Sequence, residues 1–265
     1  MVRLIRSETL KIFTTRLWWG LLIGVALTSV GFALLTSLIA GRDLGGGPAS
    51  PGVGDPAVVR SVYTAGLGVA YLFALALGVV AMAGEYRHQT MSATVLTSPH
   101  RVRIVVAKLI ALIGVGAAYG VVVVAAGVAA GAPVIAARGG DLRLFTDGVP
   151  RALLLAVLAV ALWTVLGLGV GTLIRNQVLA LLLAIGIAWI AEPILAFALN
   201  ALNAGEVAKY LPSQATSALV QPSTGAGGGV TVDLLPWWAG ALMLVGYAAV
   251  AGVLGAAITL RRDIS

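Results

Sequence analysis

The 265-residue chain has no cysteine, only two histidines, and a charged fraction of just 10%. Without cysteine there is no disulfide framework, no thiolate metal site and no cysteine nucleophile. The histidines, His88 and His100, cannot by themselves make a conventional histidine-rich metal centre. Neither GxxxxGK[ST] nor HExxH occurs, so the chain carries no phosphate-binding loop and no zincin site of its own. A soluble domain carries about 25% charge and about 45–50% apolar residues. Here 60% of residues are hydrophobic and the mean hydropathy is +1.02, which excludes a water-exposed globular enzyme. The same balance excludes a disordered chain, which is poor in apolar residues and rich in charge.

What the chain has instead is six uninterrupted apolar runs, at residues 17–40, 62–83, 109–137, 152–174, 177–199 and 235–260. Each is long enough for a helix of about 20 residues to cross a bilayer. Barrel strands would be about 10 residues of alternating polarity, and these runs are continuous. The first run is too long for a signal-peptide core and no A-x-A site follows it, so a retained signal-anchor is expected. The expected fold class is therefore an all-α membrane protein with six transmembrane helices in a single domain, residues 1–265.

Loop charges set the expected orientation. With the N-terminus in the cytoplasm, the inner segments hold 11 basic residues against Glu8, Glu85 and Asp263, a net +8. The outer loops hold six basic residues against six acids, a net of zero. This asymmetry follows the positive-inside rule with both termini cytoplasmic. It accounts for the overall +7 without nucleic acid as a partner.

Residues 41–60 are rich in glycine and proline and read as a mobile outer loop; residues 175–176 read as a tight inner turn. Residues 200–234 form a long outer segment. Gly167, Gly169 and Gly171 have a GxGxG spacing, but inside an apolar run they read as a close helix contact, as do Gly20/Gly24, Gly116/Gly120 and Gly127/Gly131. There is no internal repeat to suggest an inverted-repeat transporter.

Three segments could carry function. Residues 2–16 place Val2, Ile5, Thr9, Ile12 and Phe13 near helical spacing, with most charges on other faces, as in an amphipathic helix on the inner membrane surface. A basic topogenic tail fits them as well. Residues 84–108 exceed what a connector needs. A short helix can run from Glu85 to Leu96 and break before Pro99, and residues 101–108 can then enter the third span. That layout suits docking to a soluble partner; a solvated loop held to lipid head groups by Glu85 and Arg87 is the alternative. Finally, Glu192 is the one ionisable residue within a run. An acid in a span costs about 2.5–3.5 kcal/mol on insertion scales. About 15 residues of helix place it about 22 Å from the inner face, near the outer boundary. Either a capping or a substrate-path role is open to it.

The chain resembles the permease subunits of ABC-2 type ABC transporters. The likeness rests on Ser7-Glu8-x-x-Lys11, Thr15-Arg16-x-Trp18-Trp19, Gly84-Glu85-Tyr86-Arg87-His88-x-Thr90, Ser98-Pro99-x-Arg101 and Ala107-Lys108, then Arg175-Asn176-Gln177 and Leu211-Pro212. The resemblance implies that residues 1–16 are a connecting helix and residues 84–108 a coupling loop. Its helix would sit in a groove of a separate ATP-binding subunit and touch it through Glu85, Arg87, His88, Thr90 and Arg101. It also implies an outer re-entrant region after the fifth span, with a short helix starting at Pro193 and Glu192 at its head. No catalytic residue, cofactor or metal is expected on this chain; ATP and Mg would bind to two copies of the partner ATPase. A homodimeric exporter in a bacterial cytoplasmic membrane, moving an amphipathic or lipid-like cargo, is the function implied. An ion-coupled secondary transporter would need ionisable groups near the midplane, and an intramembrane enzyme a nucleophile or metal set there. The chain supplies neither beyond Glu192.

Overall fold

The computed structural model describes residues 1–42, 51–87, 101–174, 176–220, 224–227 and 230–262. Helix α1 (Val2–Thr14) precedes six membrane-length helical segments. These are α2 (Leu17–Ile39), the pair α3 (Pro56–Thr64) and α4 (Leu67–Arg87), α5 (Arg101–Ala137), α6 (Val149–Leu173), the stack α7 (Gln177–Gly186) and α8 (Glu192–Ala201), and α11 (Trp237–Arg262). Between α8 and α11 lie α9 (Gly205–Ala208), α10 (Pro212–Val220) and an antiparallel ribbon, β1 (Thr224–Gly227) with β2 (Val230–Asp233). The membrane-spanning part is all-helical, as the apolar runs require, and the ribbon is an addition the sequence pattern did not predict.

Helices α4 and α6 form the centre. Leu72, Leu75 and Val79 of α4 pack with Val160, Trp163 and Leu168 of α6, and Leu112 and Tyr119 of α5 close the core. Glycine permits the close approach. A Cβ on Gly78 would stand 2.0 Å from the Thr164 carbonyl oxygen, and one on Gly167 2.0 Å from that of Leu75. Gly169 and Gly171 meet Ala251 and Val79 in the same way, so the GxGxG string is a packing face. Gly116, Gly120, Gly127 and Gly131 also face neighbouring helices closely, whereas nothing lies within 4 Å at Gly20.

The second span starts earlier than expected. Asp55 accepts a hydrogen bond from the Ala57 amide at 2.7 Å and Pro56 opens α3, so residues 56–60 are helix and not loop. An Asp-Pro pair is a strong helix start, because the acid caps an orphan N–H and proline lacks one to orphan. Residues 43–50 of the glycine-rich stretch lie outside the described residues. The third span begins at Arg101, as expected. At the tight turn, Asn176 caps α7 by accepting from the Val178 and Leu179 amides. Arg175 lies outside the described residues.

The expectation for Pro193 is corrected. The chain does not fold back there. A π-helical turn, Ile187–Ala191, carries the fifth span through to Ala201. Proline removes one ladder bond and crowds the preceding turn, and a widened turn absorbs both. Glu192 therefore lies well inside the helix, nine residues or about 14 Å from its end.

Long-range hydrogen bonds show which helix ends share a face. Arg138, at the end of α5, donates to the carbonyls of Ser37 (2.6 Å) and Ala40 (2.7 Å) at the end of α2. Tyr63 donates to Leu142 O beside them. At the N-terminal face, Tyr119 donates to Trp18 O at 2.5 Å, bracing the elbow between α1 and α2.

Candidate functional site

Four charged side chains converge beneath the segment the sequence singled out. Lys108 Nζ lies 2.6 Å from Glu8 Oε2 and 2.8 Å from Glu85 Oε1. Lys11 Nζ lies 2.5 Å from Glu8 Oε1 and 3.0 Å from the same Glu85 oxygen. Helix α1 contributes Glu8 and Lys11 at i,i+3, α4 contributes Glu85 from its last turn, and α5 contributes Lys108 two turns from its start. Two acids and two bases make the cluster neutral. Glu8, Glu85 and Lys108 are buried, while Lys11 remains half-exposed.

The electrostatics follow from this packing. Burial raises the Glu8 carboxyl, but Lys108 and Lys11 outweigh it and hold Glu8 below the ordinary carboxylate range. Burial works against the Lys11 ammonium, yet its bonds to Glu8 and Glu85 hold it above its ordinary value. Glu85 Oε2 is buried without a hydrogen-bond partner, so all of this carboxylate's pairing runs through Oε1. Removing one member of a buried pair typically costs about 3–5 kcal/mol, because the survivor is left uncompensated.

Among the residues expected to meet a partner, Glu85 is thus tied inward to α1 and α5. Arg87 is the last residue of α4 and Arg101 the first of α5. His88, Thr90 and the rest of residues 88–100 lie outside the described residues. The two helix ends that bracket that segment are the ones the quartet holds together.

The second cluster surrounds Glu192. Its Oε1 accepts from the Ser213 amide at 2.5 Å, in the first turn of α10. One helix further in, Trp163 Nε1 donates to Thr216 Oγ1 at 2.9 Å, and the Trp163 ring stacks on Tyr71 at 4.4 Å. Tyr247 of α11 donates to Tyr210 O at 3.0 Å. Trp163 lies about 21 Å along α6 from Val149, so α10 runs alongside the spans rather than over their ends. Glu192 here satisfies an orphan N–H of a helix start, a favourable place for an acid. Among the described residues, no group of three or more His, Asp or Glu side chains comes together to hold a metal ion.

A family model for ABC-2 family transporter proteins matches residues 8–264. The chain belongs to that family. No curated relative matches it. As an ABC-2 protein it is the membrane component of an ABC transporter and not itself the ATPase, and its six apolar spans make it a multi-pass membrane protein. The match begins at Glu8, so it takes in every member of the quartet.

The sequence offered partial signals for these groupings. Glu8 and Lys11 stand one turn apart, which is a readable helical pair. Their meeting with Glu85 and Lys108 is a tertiary fact with no local signature. Ser213, Thr216 and Trp163 carry no such signal, since a serine after a proline and a tryptophan in an apolar run are ordinary residues.

Proposed function

We propose that the chain is the permease subunit of an ATP-driven exporter in a bacterial cytoplasmic membrane, working as two copies with two copies of a separate ATP-binding subunit. The quartet carries this reading. It lies on the N-terminal face, the face the charge asymmetry assigns to the cytoplasm, and it ties the ends of α4 and α5 to α1. A partner that binds ATP and Mg and pushes on residues 88–100 would therefore move three helices as one block. Residues 210–220, held by Glu192 and Trp163, act as the re-entrant region, entering from the outer face and running alongside the spans. The pathway wall is apolar: Leu182, Ile187, Trp189 and Ile194 of the fifth span project outward from the bundle. Such a wall suits an amphipathic or lipid-like cargo, recognised by shape and apolar surface.

An ion-coupled secondary transporter would rely on Glu192 as its carrier group. Its engagement with the α10 amide favours the exporter reading, in which it is a fastening.

The test is co-purification followed by coupled hydrolysis. The permease is purified in mild detergent from cells that make its complex, reconstituted, and assayed for ATPase activity stimulated by cargo. Glu85→Ala with Arg87→Ala should lower stimulated activity while the membrane fold persists. Full coupled activity in that double variant, or a lone permease that conducts ions without an ATPase, would overturn the reading.

A further inference from the structure

At the face opposite the quartet, two arginines converge on one point. Gly148 caps the N-terminus of the 25-residue helix α6 with φ +74 and no side chain. The position a Cβ would take on Gly148 lies 3.5 Å from Arg60 Nη1 and 3.8 Å from Arg151 Nη2. Arg60 comes from α3 and Arg151 from the first turn of α6. Two guanidiniums drawn to one point favour an anion beside them. No carboxylate among the described residues comes within ion-pair distance of Arg60 or Arg151. Asp147 is engaged by Arg143 at 2.5 Å, Asp141 approaches Arg143 only at 3.9 Å, and Asp55 caps Ala57. Arg60 also helps hold the Asp147 carboxyl below its ordinary range, but behind the Arg143 hydrogen bond and without an ion pair of its own.

Arg60 Nε is buried with no acceptor. Arg143 Nε is also buried without a partner, but Arg143 pairs with Asp147 through Nη1, whereas no described carboxylate pairs with Arg60. Arg151 is positioned by Trp237, with its guanidinium 5.1 Å from the ring centroid. An aromatic face holds a guanidinium in place, and the guanidinium's planar fork suits a two-point contact with a phosphate. At the same end of the bundle Phe145 is 91% exposed and Trp238 55% exposed. Aromatic residues in such positions mark the depth of lipid head groups.

We propose that Arg60 and Arg151 form a phosphate-binding site over the bare backbone of Gly148, with the N-terminus of α6 adding its positive end. Guanidiniums pair with phosphate oxygens through two parallel N–H bonds, and a helix N-terminus favours the same charge. At this depth the phosphate belongs to a phospholipid head group of the adjacent leaflet. A free phosphate would use the same donors, and the experiment separates the two sources.

The full chain, purified in neutral detergent, is titrated with dioctanoyl phosphatidylglycerol, with inorganic phosphate, and with a phosphate-free glycolipid of the same chain length. Binding is read by native mass spectrometry and by the shift in thermal unfolding, and no ATP hydrolysis enters. The expected result is saturable binding of phosphatidylglycerol and none of the glycolipid. Arg60→Gln and Arg151→Gln should each weaken it about tenfold, the weight of one charge-assisted hydrogen bond. Binding of phosphatidylglycerol with no effect of inorganic phosphate supports the lipid source. Equal stabilisation by inorganic phosphate supports the site and assigns it to a free phosphate group. Equal binding of the glycolipid, or unchanged binding in Arg151→Gln, overturns the proposal. Arg151 is exposed, so this variant keeps the test open even where Arg60→Gln does not fold.

Discussion

Lys108 Nζ lies 2.6 Å from Glu8 Oε2, joining the N-terminal helix directly to the base of the third span. Glu85 shares the same ammonium, so α1, α4 and α5 meet at one charged point. A helix that only floated on a membrane surface would turn its charges outward. Here α1 turns Glu8 inward with Ile12, and leaves Val2, Leu10 and Phe13 exposed. In the proposed cycle this makes α1 a moving part with the coupling segment rather than a passive anchor.

Loss of Lys108 leaves two buried carboxylates facing one half-exposed lysine. Lys108→Met should therefore destabilise the protein by about 3–5 kcal/mol. Adding Glu8→Gln should recover part of that loss, because the leftover negative charge is gone. A double-mutant cycle from unfolding in detergent should give a coupling well above about 0.5 kcal/mol. Additive single effects would show that the two residues do not communicate.

Acid should release the same joint. The Glu8 carboxyl is held below its ordinary value of 4.5, so its contribution is present above that value and disappears as pH falls through the lower folded one. Lys11 is held above its ordinary 10.5, so its contribution is present below that value and fades only as pH rises through the raised one. The stability difference between wild type and Glu8→Gln should be flat at neutral pH and close in acid, as followed by unfolding midpoints across a pH series. A difference that persists unchanged below the folded carboxyl value would contradict the pairing.

The six spans were legible because a continuous apolar run is itself the physical requirement for crossing a bilayer. The start of α5 at Arg101 and the packing role of Gly167 were legible for related reasons: a helix starts readily just after a proline, and glycine in an apolar helix has few uses but close approach. The start of α3 was missed because the glycines and prolines around it outweighed the Asp55-Pro56 cap. The continuity through Pro193 was missed because proline marks a helix start and a tolerated π turn alike. The pairings of Glu8 with Lys108 and of Glu192 with Ser213 have no local trace, since each is decided by how separate helices pack.

Glu192 fastens α10, and its substitution should loosen that segment. Glu192→Ala removes the acceptor for the Ser213 amide and should cost about 1–3 kcal/mol, with faster proteolysis within residues 202–236. Glu192→Gln keeps an acceptor oxygen and should leave proteolysis close to wild type. If Glu192→Gln abolishes transport while the segment stays protected, the carboxylate acts on the cargo path and not as a fastening alone.

The centre of the bundle should tolerate no added methyl where α4 meets α6. A Cβ on Gly167 would lie 2.0 Å from a backbone carbonyl of Leu75, and neither helix has a flexible side chain there to yield. Gly167→Ala must push the helices apart, which loses contacts along the whole face, so a cost at or above the usual 1–3 kcal/mol of overpacking is expected. Gly114 is the matching control: it is helical, with nothing within 4 Å of its Cβ position. There alanine should stabilise by roughly 0.5–1 kcal/mol through helix propensity alone. Unfolding midpoints of the two variants in one detergent should therefore move in opposite directions. A Gly167→Ala variant as stable as wild type would mean that α4 and α6 stand further apart than this packing requires.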